Sequence, residues 1–283
     1  MTDVFNFNDQ EWEMPAASRD YPPAPVILRP DFLDEFADDY KDGQHVTLIG
    51  PTQRGKSRLG KEMLKRVISP SRKALVLVGK PPGRERTWDD AAAEELDLRV
   101  IDRYPPGVPD WAGIRDMMKH GRDKNRNGFL LRPRQAMQEV EEDNAELRRQ
   151  FKAGIMGQYR KASGTNKLIT VVDEGHQTQV DLKLKNECEA PLMRGAPDNA
   201  EWTFMQRSRF VSYLCYDAPE HVLIFRDDDR SNQQRLSEIG GVDSRYLAYL
   251  VSHLRTERVP SGGTISQAVY FRRASNDVRI VDT

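Results

Sequence analysis

HVTLIGPTQRGKS, residues 45–57, decides how this chain is read. Val46 to Ile49 make a short apolar strand, a turn with a glycine at each end follows, and Lys56-Ser57 open a run whose apolar residues Leu59, Met63, Leu64 and Val67 fall on one helical face. Gly50, Gly55, Lys56 and Ser57 fit the pattern GxxxxGK[ST] in the strand-turn-helix context that gives the pattern its meaning. Glycines let successive backbone N–H groups close around phosphates, and the new helix turns its positive end toward them. Gly50, Pro51, Thr52, Gln53, Arg54, Gly55, Lys56 and Ser57 are therefore the candidate ATP-binding residues, with Lys56 expected at the β and γ phosphates and Ser57 on Mg²⁺. Before that context is required, a chance match in a chain of this length occurs about 1 time in 100.

Further along, Leu168 to Val172 form a second apolar run that stops at Asp173 and Glu174. A buried strand ending in carboxylates places them at the carboxyl edge of an open sheet, where ligands of such sheets bind. Asp173 is the second candidate for Mg²⁺, and Glu174 the candidate base that polarises an attacking water. The strand Glu201 to Gln206 is a third element: between the other two it would set Gln206 to sense the γ-phosphate or orient the water. His176 reads as a surface histidine.

Around these motifs, apolar strands alternate with helical segments, the signature of a mainly parallel sheet covered by helices on both faces. Strands are expected at 45–50, 74–79, 98–102, 128–131, 167–173, 201–206 and 221–226. Helices are expected at about 56–68, 135–162, 182–194, 230–239 and 244–256, with a C-terminal β-hairpin over 265–281 turned at Ser275 to Asp277. A short acidic helix at 31–42, carrying Phe32, Leu33, Phe36 and Tyr40, precedes the first strand. Residues 1–30 mix Asp, Asn and Pro with isolated aromatics and read as an extended arm, leaving 31–283 as one domain with its core at about 45–260.

Charge and composition narrow the classes. Residues 1–45 carry eleven acidic against three basic side chains, so a whole-chain net charge of −1 leaves a mildly basic body, which permits contact with nucleic acid. Cys188 and Cys215 have no CxxC neighbour and read as core thiols, which excludes a disulfide framework or zinc knuckle. No run of 18 apolar residues and no basic-then-apolar leader occur, so a cytoplasmic protein with no membrane span is expected.

With GPTQRGKS, VLVGKPPGR, IDRYPP, VVDEGH, LMRG, FMQR and VLIFRDDDRSNQQRLSEIGG occurring in that order, the chain resembles the FtsK/HerA-type DNA-translocating ATPases, in particular the compact versions of phages and mobile elements. The resemblance spans about 45–260 and implies a P-loop NTPase fold of the ASCE, RecA/FtsK-like kind. It also implies a homo-oligomeric ring, hexameric or, as in packaging relatives, pentameric. It makes Gln206 a sensor and Arg194, or in its place Arg207 or Arg209, a finger acting on a neighbouring subunit. A viral portal or vertex protein is then a partner, in a bacterial host cell or on the virion.

The leading reading is thus a motor on double-stranded DNA for packaging or transfer of a genome. Its second support is the stretch Arg115 to Arg134, with seven basic side chains against two Asp, from which Lys119, Arg122, Lys124 and Arg126 are candidate phosphate contacts. Lys183 and Lys185 form a second candidate group. The competing reading is a P-loop protein for assembly or regulation that never touches DNA. A small-molecule kinase is disfavoured, because it has no use for Glu174 beside Asp173.

Overall fold

The computed structural model describes residues 4–7, 10–13, 24–80, 87–101, 124–133, 139–159, 167–194, 197–206, 211–229, 232, 235–236, 239–258 and 264–283. Its strands are β1 Val4–Phe7, β2 Gln10–Glu13, β3 Val26–Leu28, β4 Val46–Ile49, β5 Arg72–Val78, β6 Leu98–Ile101, β7 Gly128–Leu131, β8 Lys167–Asp173, β9 Ala200–Met205, β10 His221–Phe225, β11 Thr256–Arg258, β12 Thr264–Arg272 and β13 Asp277–Asp282. The helices are α1 Arg29–Asp39, α2 Lys56–Val67, α3 Asp90–Glu95, α4 Val140–Tyr159, α5 Lys185–Arg194, α6 Leu214–Asp217 and α7 Ser244–His253, with a π-helical turn at Gln177–Asp181.

One sheet organises the chain, in the order β3-β13-β12-β10-β4-β9-β8-β5-β7-β6, with β11 paired to β12. The strands from β10 to β6 are mutually parallel. The C-terminal hairpin expected from sequence is β12-β13, and it joins them antiparallel through β10. Each central strand serves two cores because its side chains alternate between faces. In β5, Ala74, Val76 and Val78 point with α1 and α2 into one core. Leu75 and Leu77 point into another with Leu147 and Phe151 of α4. A third core, under α7, takes Ile49, Met205, Val222 and Ile224. Such two-sided burial is why these strands are continuous apolar runs.

The α2 face anticipated from sequence is buried as Leu59, Met63, Leu64 and Val67. Gly60 on that face lets the helix lie directly on β9, since a Cβ there would come within 2.3 Å of the Phe204 ring. That contact fixes the helix after the phosphate loop against the strand that carries Gln206.

Several boundaries differ from those expected. The segment after β8 does not begin a helix at 182: Glu174 takes a left-handed backbone (φ 72°), the π-helical turn follows, and α5 starts only at Lys185. The last helix stops at His253, because Thr256–Arg258 leaves to pair with β12. Within the acidic N-terminal stretch, β1 and β2 pair with each other, and Val26–Leu28 adds a parallel strand beside β13. Averaging composition over residues 1–30 hides that short apolar run. The expected helix at 230–239 falls largely outside the described residues. No helix among the described residues is long and apolar enough to cross a membrane.

Candidate nucleotide site

The parallel strands give the sheet an amino edge and a carboxyl edge, and the loop from Gly50 to Gly55 rises from the carboxyl end of β4. Gly50 (φ 150°) is required there, since a Cβ would sit 2.6 Å from that of Phe225. Gln53 and Gly55 take left-handed backbones, φ 63° and 91°, which curl the loop back into α2. Gly55 caps α2 without a side-chain hydrogen bond, and the first turn holds no acidic residue. The first N–H groups of the helix therefore face the loop's interior, a ready anion site.

Lys56 is buried, and its Nζ donates to the Pro51 carbonyl at 2.7 Å. Burial pushes its ammonium down to about 8; the carboxylates of Glu174 and Asp173 act against this, the charge of Lys80 acts with it, and Asp227 opposes it. Ser57 Oγ donates to Asp173 Oδ1 at 2.8 Å. These are two hard oxygens, one anionic, at the mouth of a phosphate loop, and they fit Mg²⁺, which takes few protein ligands and completes its shell with phosphate and water. Among the described residues, no group of three or more His, Cys, Asp or Glu suited to a metal occurs.

β9 lies between β4 and β8, so Gln206 stands between the phosphate loop and Glu174. Its amide makes the connection physical: Thr52 Oγ1 donates to Gln206 Oε1 at 2.7 Å, and Gln206 Nε2 donates to both carboxylate oxygens of Glu174. Lys56, Ser57, Asp173, Glu174 and Gln206 are thus one cluster. Gly175, just after, is held to a glycine because a Cβ would press on Thr203 and Met205 of β9. His176 is half-buried two residues beyond Glu174.

Two residues that sequence reasoning did not single out belong to this edge. Lys80 Nζ lies 2.6 Å from Glu174 Oε1. Asp227, just past β10, is buried, accepts from Asp229 N and from Asn232 Nδ2 at 2.9 Å each, and has its carboxyl raised by burial. Both stand two residues beyond an apolar strand, which is the only local signal they carry.

The remaining candidates lie elsewhere. α5 is the crossover from β8 to β9, so exposed Arg194 at its C-terminal end lies toward the amino edge, away from its own phosphate loop. Lys124 and Arg126 are exposed just before β7, also at the amino edge; their carbonyls accept from the buried Lys73 ammonium, and Arg126 pairs with Asp97 at 3.2 Å. Lys119 and Arg122 lie outside the described residues, as do Arg207 and Arg209. Lys183 and Lys185 are exposed directly after the π-helical turn.

Solved structures match this chain over nearly their whole length. The genome packaging NTPase B204 of Sulfolobus turreted icosahedral virus 2, in complex with sulfate, aligns with a TM-score of 0.52 at 13% identity, covering 86% of this chain and 98% of that one. The fold is that of a P-loop NTPase. B204 of Sulfolobus turreted icosahedral virus, described as a DNA-packaging ATPase, aligns with a TM-score of 0.50 at 13% identity, covering 85% and 98%. No protein-family model and no curated protein matches this P-loop chain in sequence.

Proposed function

We propose that this chain hydrolyses ATP with Mg²⁺ and uses the reaction to move double-stranded DNA, in packaging or transfer of a viral or mobile-element genome. The observation that carries the reading is the Thr52–Gln206–Glu174 connection, which links a phosphate loop to a carboxylate base through one amide. A protein that only bound nucleotide would have no use for that connection. Support for DNA as the track comes from the shared fold with a packaging NTPase and from the mildly basic body.

In this reading the N–H groups of Gly50 to Ser57 hold the phosphates, and Lys56 lies against the β and γ groups. Ser57 and Asp173 would hold Mg²⁺, which neutralises phosphate charge as it moves onto the leaving oxygen. Glu174 accepts a proton from the attacking water. The water oxygen bonds to the γ-phosphorus, the bond to the bridging oxygen breaks, and ADP leaves with that electron pair. Gln206 orients the water and reports the γ-phosphate to Thr52. The subunits form a ring, pentameric or hexameric, in which Arg194 of one subunit completes the site of the next. Lys183 and Lys185, with Lys119, Arg122, Lys124 and Arg126, contact DNA phosphates without reading sequence. A portal or vertex protein is the docking partner, in the bacterial cytoplasm or on the virion.

The test is phosphate release by the wild-type protein with and without duplex DNA over a salt series. The reading expects magnesium-dependent hydrolysis that duplex DNA stimulates, with stimulation declining steeply as salt rises. Hydrolysis indifferent to DNA at every salt would favour the regulatory alternative.

A further inference from the structure

A buried glutamine is costly unless the donor and the acceptor of its amide are both used. Gln179 lies in the π-helical turn, is only 3% exposed, and spends both halves of its amide on α6 and the residues that lead into it. Ser212 N donates to Gln179 Oε1 at 2.8 Å, and Gln179 Nε2 donates to Cys215 Sγ at 2.8 Å. The ordinary explanation is a polar core residue satisfied by its neighbours. Three features of what it joins go beyond this.

First, the turn is rooted in the candidate base. Thr178 N and Oγ1 donate to the Glu174 carbonyl at 3.0 and 3.2 Å, and the turn closes where Leu182 N donates to the Gln177 carbonyl at 2.9 Å. The backbone that aims the Glu174 carboxylate is therefore only as fixed as this turn.

Second, α6 is anchored on the strand of the phosphate loop. Thr47 of β4 is buried three residues before Gly50, and its Oγ1 donates to the Cys215 carbonyl. Cys215 N in turn donates to the Ser212 carbonyl at 3.1 Å, so the residues that receive Gln179 and Thr47 move as one piece.

Third, the two ends lie on opposite sides of β9, which separates β4 from β8. Thr47 shares a sheet face with Ile49, which packs with Met205 and Cys215 on the side away from α2. The connection Thr47–Cys215–Gln179 thus crosses β9 beneath the site, as Thr52–Gln206–Glu174 crosses it at the carboxyl edge. The upper connection stands where nucleotide arrives, whereas every member of the lower one is buried.

We infer that Gln179 is a positioning residue: through Cys215 and Thr47 it fixes the turn that carries Glu174 relative to the phosphate loop, and so sets the distance from the base to the γ-phosphate. The inference rests on the ATP-hydrolysing reading above. It holds the base from below in every nucleotide state, whatever the links at the carboxyl edge do.

The experiment measures kcat and KM for ATP with Mg²⁺, and the affinity of fluorescent AMPPNP, in wild type, Gln179→Met, Thr47→Val, Thr47→Ser and the double variant Gln179→Met/Thr47→Val. Folding is checked by circular dichroism and rates are counted per folded molecule. Expected in Gln179→Met and in Thr47→Val is a kcat lower by about 10–10²-fold, with KM and AMPPNP affinity within about twofold of wild type. Thr47→Ser keeps the hydroxyl and should keep most of kcat. The double variant should be no slower than either single one, because both changes cut one connection. Gln179→Met should add nothing to Glu174→Gln, and Thr170→Val, which removes another buried hydroxyl of the sheet, should leave kcat unchanged. If Gln179→Met does not fold, Thr47→Val against Thr47→Ser carries the test. Unchanged kcat in either single variant that folds, an equal fall in Thr170→Val, or a further loss on top of Glu174→Gln would overturn the inference and leave the ATPase reading intact. A wild-type protein that hydrolyses no ATP would overturn that reading, and this inference with it.

Discussion

The two edges of the central sheet are built from the same strands, and their buried polar groups are met in different ways. At the amino edge, His221 Nδ1 and the Tyr270 hydroxyl share a hydrogen bond of 2.7 Å, Trp202 Nε1 donates to the Tyr40 hydroxyl at 3.2 Å, and Tyr40 donates to the Gln44 carbonyl at 3.1 Å. Phe36 of α1 packs edge-on against both Trp202 and His221. These groups are uncharged and joined through Gln44, whose Oε1 also meets His221 Nε2 at 3.1 Å. A buried cation there, Lys73, is answered by two backbone carbonyls. At the carboxyl edge, burial pushes the Lys56 ammonium down and the Asp227 carboxyl up, and Lys80 pairs with Glu174 close by. Neutral pairing serves folding, whereas concentrated charge costs folding energy and is kept where chemistry needs it.

Arg194 offers the sharpest way to break this division, since it lies toward the amino edge yet is assigned to catalysis in a neighbour's site. Trans-acting arginines contribute about 10³–10⁵ in kcat. Arg194→Ala should therefore nearly abolish hydrolysis while ATP affinity stays almost unchanged. Mixing it with Lys56→Ala subunits should restore part of the activity, because some interfaces would then pair an intact loop with an intact arginine. Mixed rings that assemble but stay silent would return Arg194 to the surface.

The next largest effect belongs to stability. Phe36→Ala empties a fully packed position and should cost about 3–5 kcal/mol in denaturant unfolding, with hydrolysis per folded molecule retained. A variant equally stable but inactive would mean that the amino edge feeds the chemistry.

The smallest expected effect is on pH dependence. Burial, helped by the charge of Arg272, pushes His221 down to about 3, and burial raises the phenols of Tyr40 and Tyr270 that face it, so all three stay neutral together. An imidazole whose folded pKa lies below its unfolded value of about 6.5 contributes stability that is present above 6.5 and lost as pH falls toward 3. His45, pushed down to about 4 by burial, acts with the same sign. Stability should fall below pH 6.5 with a slope approaching about 1.4 kcal/mol per pH unit for each such histidine. His221→Gln should remove one of these slopes. An unchanged slope would mean that His221 charges inside the folded protein.

How far each edge was legible follows from how local its chemistry is. The phosphate loop and the Asp173-Glu174 end could be read directly because spacing along the chain sets their geometry, and the α2 face because helical periodicity does. Gln206 was readable once its strand was placed between the other two. Lys80 was not: its meaning depends on β5 lying beside β8, and nothing near GK in VLVGK says which strand is its neighbour. The amino edge was less visible still. Tyr40, Trp202, His221 and Tyr270 come from four distant segments, and each alone looks like an ordinary aromatic or histidine. The short β3 and β11 pair only because a neighbouring strand offers an edge, a tertiary cause that local propensity cannot carry.

The central claim is that the carboxyl edge hydrolyses ATP with Glu174 as base, and Glu174→Gln tests it most directly because the amide keeps the shape of the carboxylate while losing its basicity. The account predicts nucleotide affinity within a few-fold of wild type and single-turnover hydrolysis slower by about 10²–10⁴. Turnover near the wild-type rate, with nucleotide still bound, would contradict it.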